Sequence, residues 1–329
     1  AASPLAYASD LNINGFLSVG ASMLDNDDVT LDGFDTTGNF KNDTILGIQI
    51  SKQVNDSTTV TGQLVSRGTD DYKTEAAWAY VTYAATDDLD LRMGRLRVPF
   101  FYYSDFLEVG YAYDWIRPPS EVYSIPFSSV DGVDLSYRFA LGNWDSSAQL
   151  YYGRYNPDGG TFELRNFSGL ALNTGTGNIT LRASYHRMDL FVFDGGATMG
   201  GITNPASPIN ASLLAQGYTT AEINAAGADY QANGEEATFY GVAAGYDNGD
   251  ISFITEYTSG TADSPMFLVS NNFLAKIGKR VSDLTFHLTY ASTETETLNG
   301  IDGDIQESLL LENEQNSIIA GVRWDYDSG

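Results

Sequence analysis

The chain has 329 residues, with 17 Lys and Arg against 43 Asp and Glu, a formal charge of -26 and no cysteine. That acidity excludes a nucleic-acid partner, whose phosphates need a basic surface, and the lack of cysteine excludes disulfides and thiolate chemistry. No run of about 18 apolar residues occurs, which rules out a transmembrane helix, while 21 Tyr, 17 Phe and 33 Gly suit hairpins and aromatic girdles better than a helical enzyme.

The opening AASPLAYAS lacks the basic and apolar parts of a signal peptide, although Ala6-Tyr7-Ala8 has the A-x-A form of a cleavage site. From residue 11 onward, apolar and polar residues alternate in stretches of roughly ten. Leu11, Ile13, Leu17, Val19 and Met23 share one parity, with Asn12, Asn14, Ser18 and Ser22 on the other, so 11–24 reads as a strand between two solvents. Further strands are expected near 43–55, 58–67, 76–86, 89–100, 130–141, 143–154, 166–174, 178–191, 237–247, 250–258, 271–281, 283–292 and 316–326. Period-two counting thus gives about fourteen.

Every second connection is a brief turn: Asn55-Asp56-Ser57, Thr86-Asp87-Asp88, Gly142 with Asn143, Thr174 to Gly177, Asp247 to Asp250, and Ser282-Asp283. The others are mostly longer, and one of about forty residues separates Val192 from Glu236. Such sorting is expected of a transmembrane antiparallel β-barrel in a bacterial outer membrane, with short turns and both termini at the periplasmic rim. The last residues, Trp324 to Gly329, enter another turn signal without a closing strand. One further hairpin would bring the barrel to about sixteen strands; a fourteen-stranded barrel with a polar tail is the alternative. Either way residues 1–329 read as one all-β domain.

Two connections stand out. The insertion 193–235 contains Thr219-Thr220-Ala221-Glu222 ahead of good helix formers, a capping-box pattern that predicts a short extracellular helix. The loop 101–129 is too aromatic and Pro-punctuated to be solvated, and a wide lumen is where it can bury itself. On the strand before it, Leu89, Leu91 and Met93 oppose Asp90 and Arg92. A bulge at Gly94 would shift the phase so that Arg92, Arg95 and Arg97 all face the lumen. Arg138, Arg182, Lys276, Arg280 and Arg323 also take lumen parity on their strands.

In GRLRVPFF at 94–101, the following acid-bearing loop and SSVDGVDLSYRF at 128–139, the chain resembles the Gram-negative general porins. The resemblance implies that loop 101–129 sets a pore constriction. Its basic wall would be Arg92, Arg95, Arg97 and Arg138, and the facing loop acids Asp105, Glu108, Asp114 and Glu121. It also implies a homotrimer, seated among outer-membrane lipid and lipopolysaccharide, that lets ions and small hydrophilic solutes diffuse without a cofactor or metal. Opposed charges across a narrow aperture set up a transverse field that orients dipolar solutes, while the same pairs also serve to scaffold the loop. A substrate-selective channel is the alternative, with Tyr102, Tyr103, Tyr111, Tyr113, Trp115 and Tyr123 as an aromatic slide for oligosaccharides, and a surface receptor or adhesin using 193–235 is another.

Two features read more plainly. Asp25-Asn26-Asp27-Asp28 with Asp32 and Asp35 lacks the Gly and Glu of a helix-loop-helix calcium site, so a solvated acidic loop is expected. His186 and His287 take lumen parity with no nucleophile at recognisable spacing, so no enzyme is expected.

Overall fold

Alternation in the sequence becomes alternation of faces. On the strand Leu284–Thr295, Phe286, Leu288 and Tyr290 are exposed on one side, while Thr285, His287, Thr289 and Ala291 are buried on the other. A soluble sheet hides its apolar face; this one hides the polar face. The computed structural model describes residues 11–26, 34–125, 127–157, 162–192, 200–230, 232–265, 269–309, 311 and 314–326. Ala6-Tyr7-Ala8, Asp27, Asp28, Asp32 and the final Asp327-Ser328-Gly329 lie outside the described residues.

The strands are β1 Leu11–Ser18, β2 Ile45–Asn55, β3 Thr58–Arg67, β4 Thr74–Ala84, β5 Leu89–Arg97, β6 Ser129–Leu141 and β7 Trp144–Tyr155. They continue as β8 Phe162–Thr176, β9 Ile179–Val192, β10 Asn233–Asp247, β11 Ile251–Ala262, β12 Ser270–Val281, β13 Leu284–Thr295 and β14 Glu314–Trp324. Each pairs antiparallel with its neighbours in sequence, in one 14-stranded sheet ordered β1 to β14. All fourteen expected strands are present, most ends shifted by a few residues, and the short turns fall at one rim. Among the described residues no helix is long and apolar enough to cross a membrane.

The sheet curls round the loop between β5 and β6. That one loop touches β9 through Ser184, β11 through Glu256, β13 through Thr289, β14 through Gln315 and β3 through Arg67. A flat meander could not bring all of these to a single segment. Ser22 and Asp43, from the β1–β2 connection, also line one cavity together with Gln315 and Ser317 of β14, so the two ends of the sheet face each other.

The β9–β10 insertion forms more than the expected short helix. Helices α2 (Pro208–Gln216) and α3 (Thr220–Asp229) pack with α4 (Ile301–Ser308), from the β13–β14 connection, around Ile202, Leu213, Ile223, Tyr230 and Ile305, all fully buried. The predicted capping box starts α3: Thr219 Oγ1 accepts from Glu222 N, and Glu222 Oε2 accepts from Thr219 N. Ser207 caps α2, Pro208 follows it, and Gly217 at φ 103° ends it. Tyr218 donates to Asp304 Oδ2 at 2.6 Å, tying the two connections together. The result is a small helical cap at the long-loop rim. Asp302, at the start of α4, titrates above the usual carboxylate range because burial disfavours its charge and Asp229 lies near.

Candidate functional site: the inward loop and the lumen it divides

Strand β5 leaves the wall at its end. Up to Arg95 it pairs one to one with β4, and through Arg97 with β6; from Leu96 onward its apolar residues Leu96, Val98, Phe100 and Phe101 are all buried. The apolar run thus enters the lumen, as its composition predicts. Inside, Phe100 lies 4.6 Å from the His186 ring and 4.9 Å from Phe239, while Phe101 lies 4.8 Å from Tyr123. Tyr103 meets Trp115 at 5.7 Å in an edge-on contact. Ring pairs of this kind add about 0.5–1.5 kcal/mol each beyond the burial of their area. The loop is therefore packed as a core.

Hydrogen bonds fasten it to the wall. Ser184 Oγ donates to Phe100 O at 3.0 Å, and the Arg182 guanidinium donates to Pro99 O. The Glu256 carboxylate accepts from Tyr102 N at 2.8 Å and from the Tyr123 hydroxyl. Trp115 Nε1 donates to Thr289 Oγ1 at 2.9 Å, and Gln315 Nε2 donates to Glu121, which sits in the short helix α1 (Ser120–Tyr123), also at 2.9 Å. Burial raises the Tyr103 phenol well above its usual range and Tyr113 to about 12, so both rings stay neutral throughout the physiological range.

The predicted basic wall is only partly assembled. Arg92 faces the lumen, bidentate to Asp134 at 2.8 and 2.6 Å, above the Tyr80 ring. Arg97 also lies inside: its Nε donates to Ser104 O at 2.7 Å, it covers Trp78 at 5.7 Å, and it approaches Glu108 to 3.8 Å. Arg95 does not. Residues 89–97 run without a register shift, so Arg95 keeps the outward parity of Leu91 and Met93 and pairs with Asp131 at 2.9 Å. The expected bulge at Gly94 is absent: pairing with β4 and β6 runs through it one to one, and glycine is required instead by its φ of +134° and by the close approach of β4, where a Cβ would stand 2.2 Å from Ala79 O. Arg138 is displaced along the axis instead. It binds Asp90 at 2.6 Å and the Asp87 carbonyl at the short-turn rim, four residues from Asp134, roughly 13 Å along the strand.

The loop acids scatter likewise. Of the four, Glu108 alone forms an ion pair with a β5 arginine, and its stronger partner is Arg67 at 2.6 Å. Asp114 binds Lys276 and stands 3.7 Å from Arg323, Glu121 faces β14, and Asp105 is exposed. Of the other lumen cations, Arg182 holds Asn173 at 2.6 Å, Arg280 grips Asp247 at 2.7 Å with both nitrogens, and Arg323 Nη1 donates to Tyr113 O at 3.3 Å. The six rings of the expected aromatic slide are divided: Tyr103, Tyr113 and Trp115 are 4–5% exposed and packed on one another, Tyr111 is fully open, and all but Tyr111 border cavities beside the loop.

Sequence reasoning missed Glu256, Asp43, Arg67 and Arg117. Glu256 had a readable signal, an acid at lumen parity inside a strand. Asp43 and Arg117, paired at 2.7 Å, are joined only by folding. Each lumen histidine sits across from a glycine, His186 opposite Gly169 and His287 opposite Gly321, where a Cβ would intrude to 2.4 and 2.2 Å. His186 Nδ1 lies 2.8 Å from the Tyr151 hydroxyl. Among the described residues no group of His, Asp and Glu is arranged to hold a metal ion.

Space remains around the loop. A cavity of about 430 Å³ lies toward the long-loop rim between the loop and β1–β3, one of about 410 Å³ runs beside β14, and one of about 260 Å³ lies below toward the short turns. The first two share Asp43, Ile116 and Arg117, the last two share Asp114, and the first and last share Tyr113. A vestibule of about 850 Å³ opens at the short-turn rim by Arg138.

A curled antiparallel sheet with its apolar side outward, a polar lumen and one inward loop defines the fold of the outer-membrane porins. The chain is similar to OmpF of Salmonella typhi in complex with daunomycin, with a TM-score of 0.57 and 14% identity over 96% of this chain and 86% of that one. It is also similar to the in-vitro folded outer membrane protein OmpT of Vibrio cholerae in trimer form (0.53, 13%, 97% and 86%) and to the outer membrane channel DcaP of Acinetobacter baumannii (0.51, 14%, 96% and 86%). No protein-family model and no curated protein matches the chain. At such identities the likeness is one of fold.

Proposed function

We propose that the chain is a porin of the bacterial outer membrane, a passage for ions and small hydrophilic solutes with no catalytic role, working as a homotrimer. The observation that carries this reading is the run of three cavities around the loop limb 113–118, each sharing residues with the others, between the two rims. Both signs of charge stand along it: Arg67, Arg117, Lys276, Arg280 and Arg323 against Asp43, Glu108, Asp114 and Glu121. A narrow polar passage of mixed sign favours hydrated ions and dipolar solutes over apolar ones. The trimer form of the Vibrio cholerae relative supports the assembly.

The test is reconstitution of purified protein into planar bilayers under a salt gradient. Discrete conductance steps with a measurable reversal potential are expected. A folded, inserted protein that gives no steps refutes the channel. Cross-linking that yields no trimer refutes the assembly.

A further inference from the structure

The β1–β2 connection does not stay at the rim. Ser22 and Asn39 exchange backbone hydrogen bonds at 3.1 Å and Leu24 N donates to Asp35 O at 2.7 Å, so the described ends of the connection fold back on each other. From it Phe34 and Asp43 reach into the lumen, 1% and 8% exposed. There they meet the inward loop at Arg117, whose guanidinium lies 4.8 Å over the Phe34 ring and donates to Asp43 Oδ1 at 2.7 Å. Ser22 Oγ holds the other carboxylate oxygen at 2.8 Å. The approach leaves no room for a side chain at Gly20, where a Cβ would stand 2.4 Å from Asp43 Cβ and 3.0 Å from Ile116 Cγ2. The cavities of about 430 and 410 Å³ adjoin at this contact. Ile116, Arg117, Pro118, Ser120 and Asp43 border both, and of these only Asp43 stands opposite the inward loop.

We propose that the passage is narrowed here, between two connections rather than between the loop and the β5 wall, with Asp43 setting its ion preference and Phe34 acting as a positioning residue for Arg117. The proposal rests on the channel reading and adds to it the point at which charge is sorted. A solute moving from the upper cavity to the one beside β14 has Arg117 on one hand and Asp43 on the other, a pair of opposite charges across a narrow aperture. The β5 arginines do not take this part. Arg92 is bound to Asp134, Arg95 points outward, Arg97 is covered by the loop, and none of the three borders either cavity. The two charges are held differently. Asp43 is short and bonded through both oxygens, whereas Arg117 is long, and the face of the Phe34 ring keeps its guanidinium at the aperture.

Reversal potentials in planar bilayers test it, in salt near about 1 M, where exposed charge more than about 3 Å from the ion path is screened. Asp43→Asn keeps the shape of the side chain and removes its charge, and the permeability ratio should move toward anions by about two- to threefold, a change of the order of kT in local potential. Asp35→Asn, on the exposed part of the same connection, should leave the ratio unmoved. Phe34→Leu alters no charge, yet it should move the ratio toward cations by part of the shift in Arg117→Gln, with recovery in Phe34→Tyr. Heat-resistant migration confirms that each variant folds. No shift in Asp43→Asn overturns the proposal. So does an equal shift in Asp35→Asn, which would place the effect in the potential of the mouth. A ratio unmoved in Phe34→Leu reduces that ring to packing and overturns its positioning role. A parent protein that conducts while Asp43→Asn changes nothing sinks this inference alone, and a parent protein that inserts without conducting sinks the channel reading and this inference with it.

Discussion

The two sides of the lumen are built on opposite principles. Toward β8–β11 the inward loop meets the wall through rings: Phe100, Phe101, Phe167 and Phe239 close on one another, and the polar contacts of Arg182 and Glu256 are spent on loop backbone or tyrosine. Toward β1–β3 and β12–β14 the same loop meets the wall through charges, and cavities of about 410 and 430 Å³ remain between them, while the smaller one of about 260 Å³ reaches across the short-turn end to β9–β12. Rings pack to crystal-like density and leave no room for water; ion pairs leave unfilled volume that water completes. One loop therefore both blocks and opens the barrel, according to which residues it turns to each side.

Removing residues 104–122 should break this comparison most severely. Both the rings that fill one side and the charges that narrow the other would go. Single-channel conductance should rise roughly twofold or more, since the aperture would then be set by the wall. An unchanged value in planar bilayers would mean that the loop does not limit flow.

A sharper test replaces single charges. Arg117 lines both cavities on the open side, whereas Arg95 points outward. Arg117→Gln should shift the reversal potential toward cations by about two- to threefold in permeability ratio, a change of the order of kT in local potential. Arg95→Gln should leave it unmoved. A shift in Arg95→Gln of the same size would place the aperture against β5 and overturn the division into two sides.

That Arg95 and Arg117 exchange importance shows what the sequence could carry. Strand positions followed from parity, because the alternation between lipid and water is imposed on every strand and survives local error. Arg92 and the lumen cations Arg182, Lys276, Arg280 and Arg323 were legible for the same reason, whereas Arg97, on the parity of Arg95, lies inside because β5 ends there and the inward loop closes over it. Arg95 was misread because a glycine in a strand signals a special backbone without saying which one, and here it is a positive φ and a close strand approach within an unbroken register. The loop acids were legible as a set but not as pairs. Which wall Glu108 or Asp114 reaches depends on how an irregular chain folds back, and irregular backbone has no period from which to count. The cap was half legible, since Thr219 and Glu222 announce α3 while α4 joins it from residues far along the chain.

The smallest effect on flow is expected from the cap, and it bears on the same comparison. The cap is fastened between the β9–β10 and β13–β14 connections, so it joins the packed side of the barrel to the open side above the rim. Leu213 is fully buried in its core, away from the loop. Leu213→Ala should cost about 2–5 kcal/mol, enough to loosen a core of so few side chains. Limited proteolysis should then cut within 200–230 many times faster than in the parent protein, while conductance and reversal potential stay as they were. If conductance changes with the cut, the helices take part in the passage, and the asymmetry of the lumen belongs to the cap as much as to the loop beneath it.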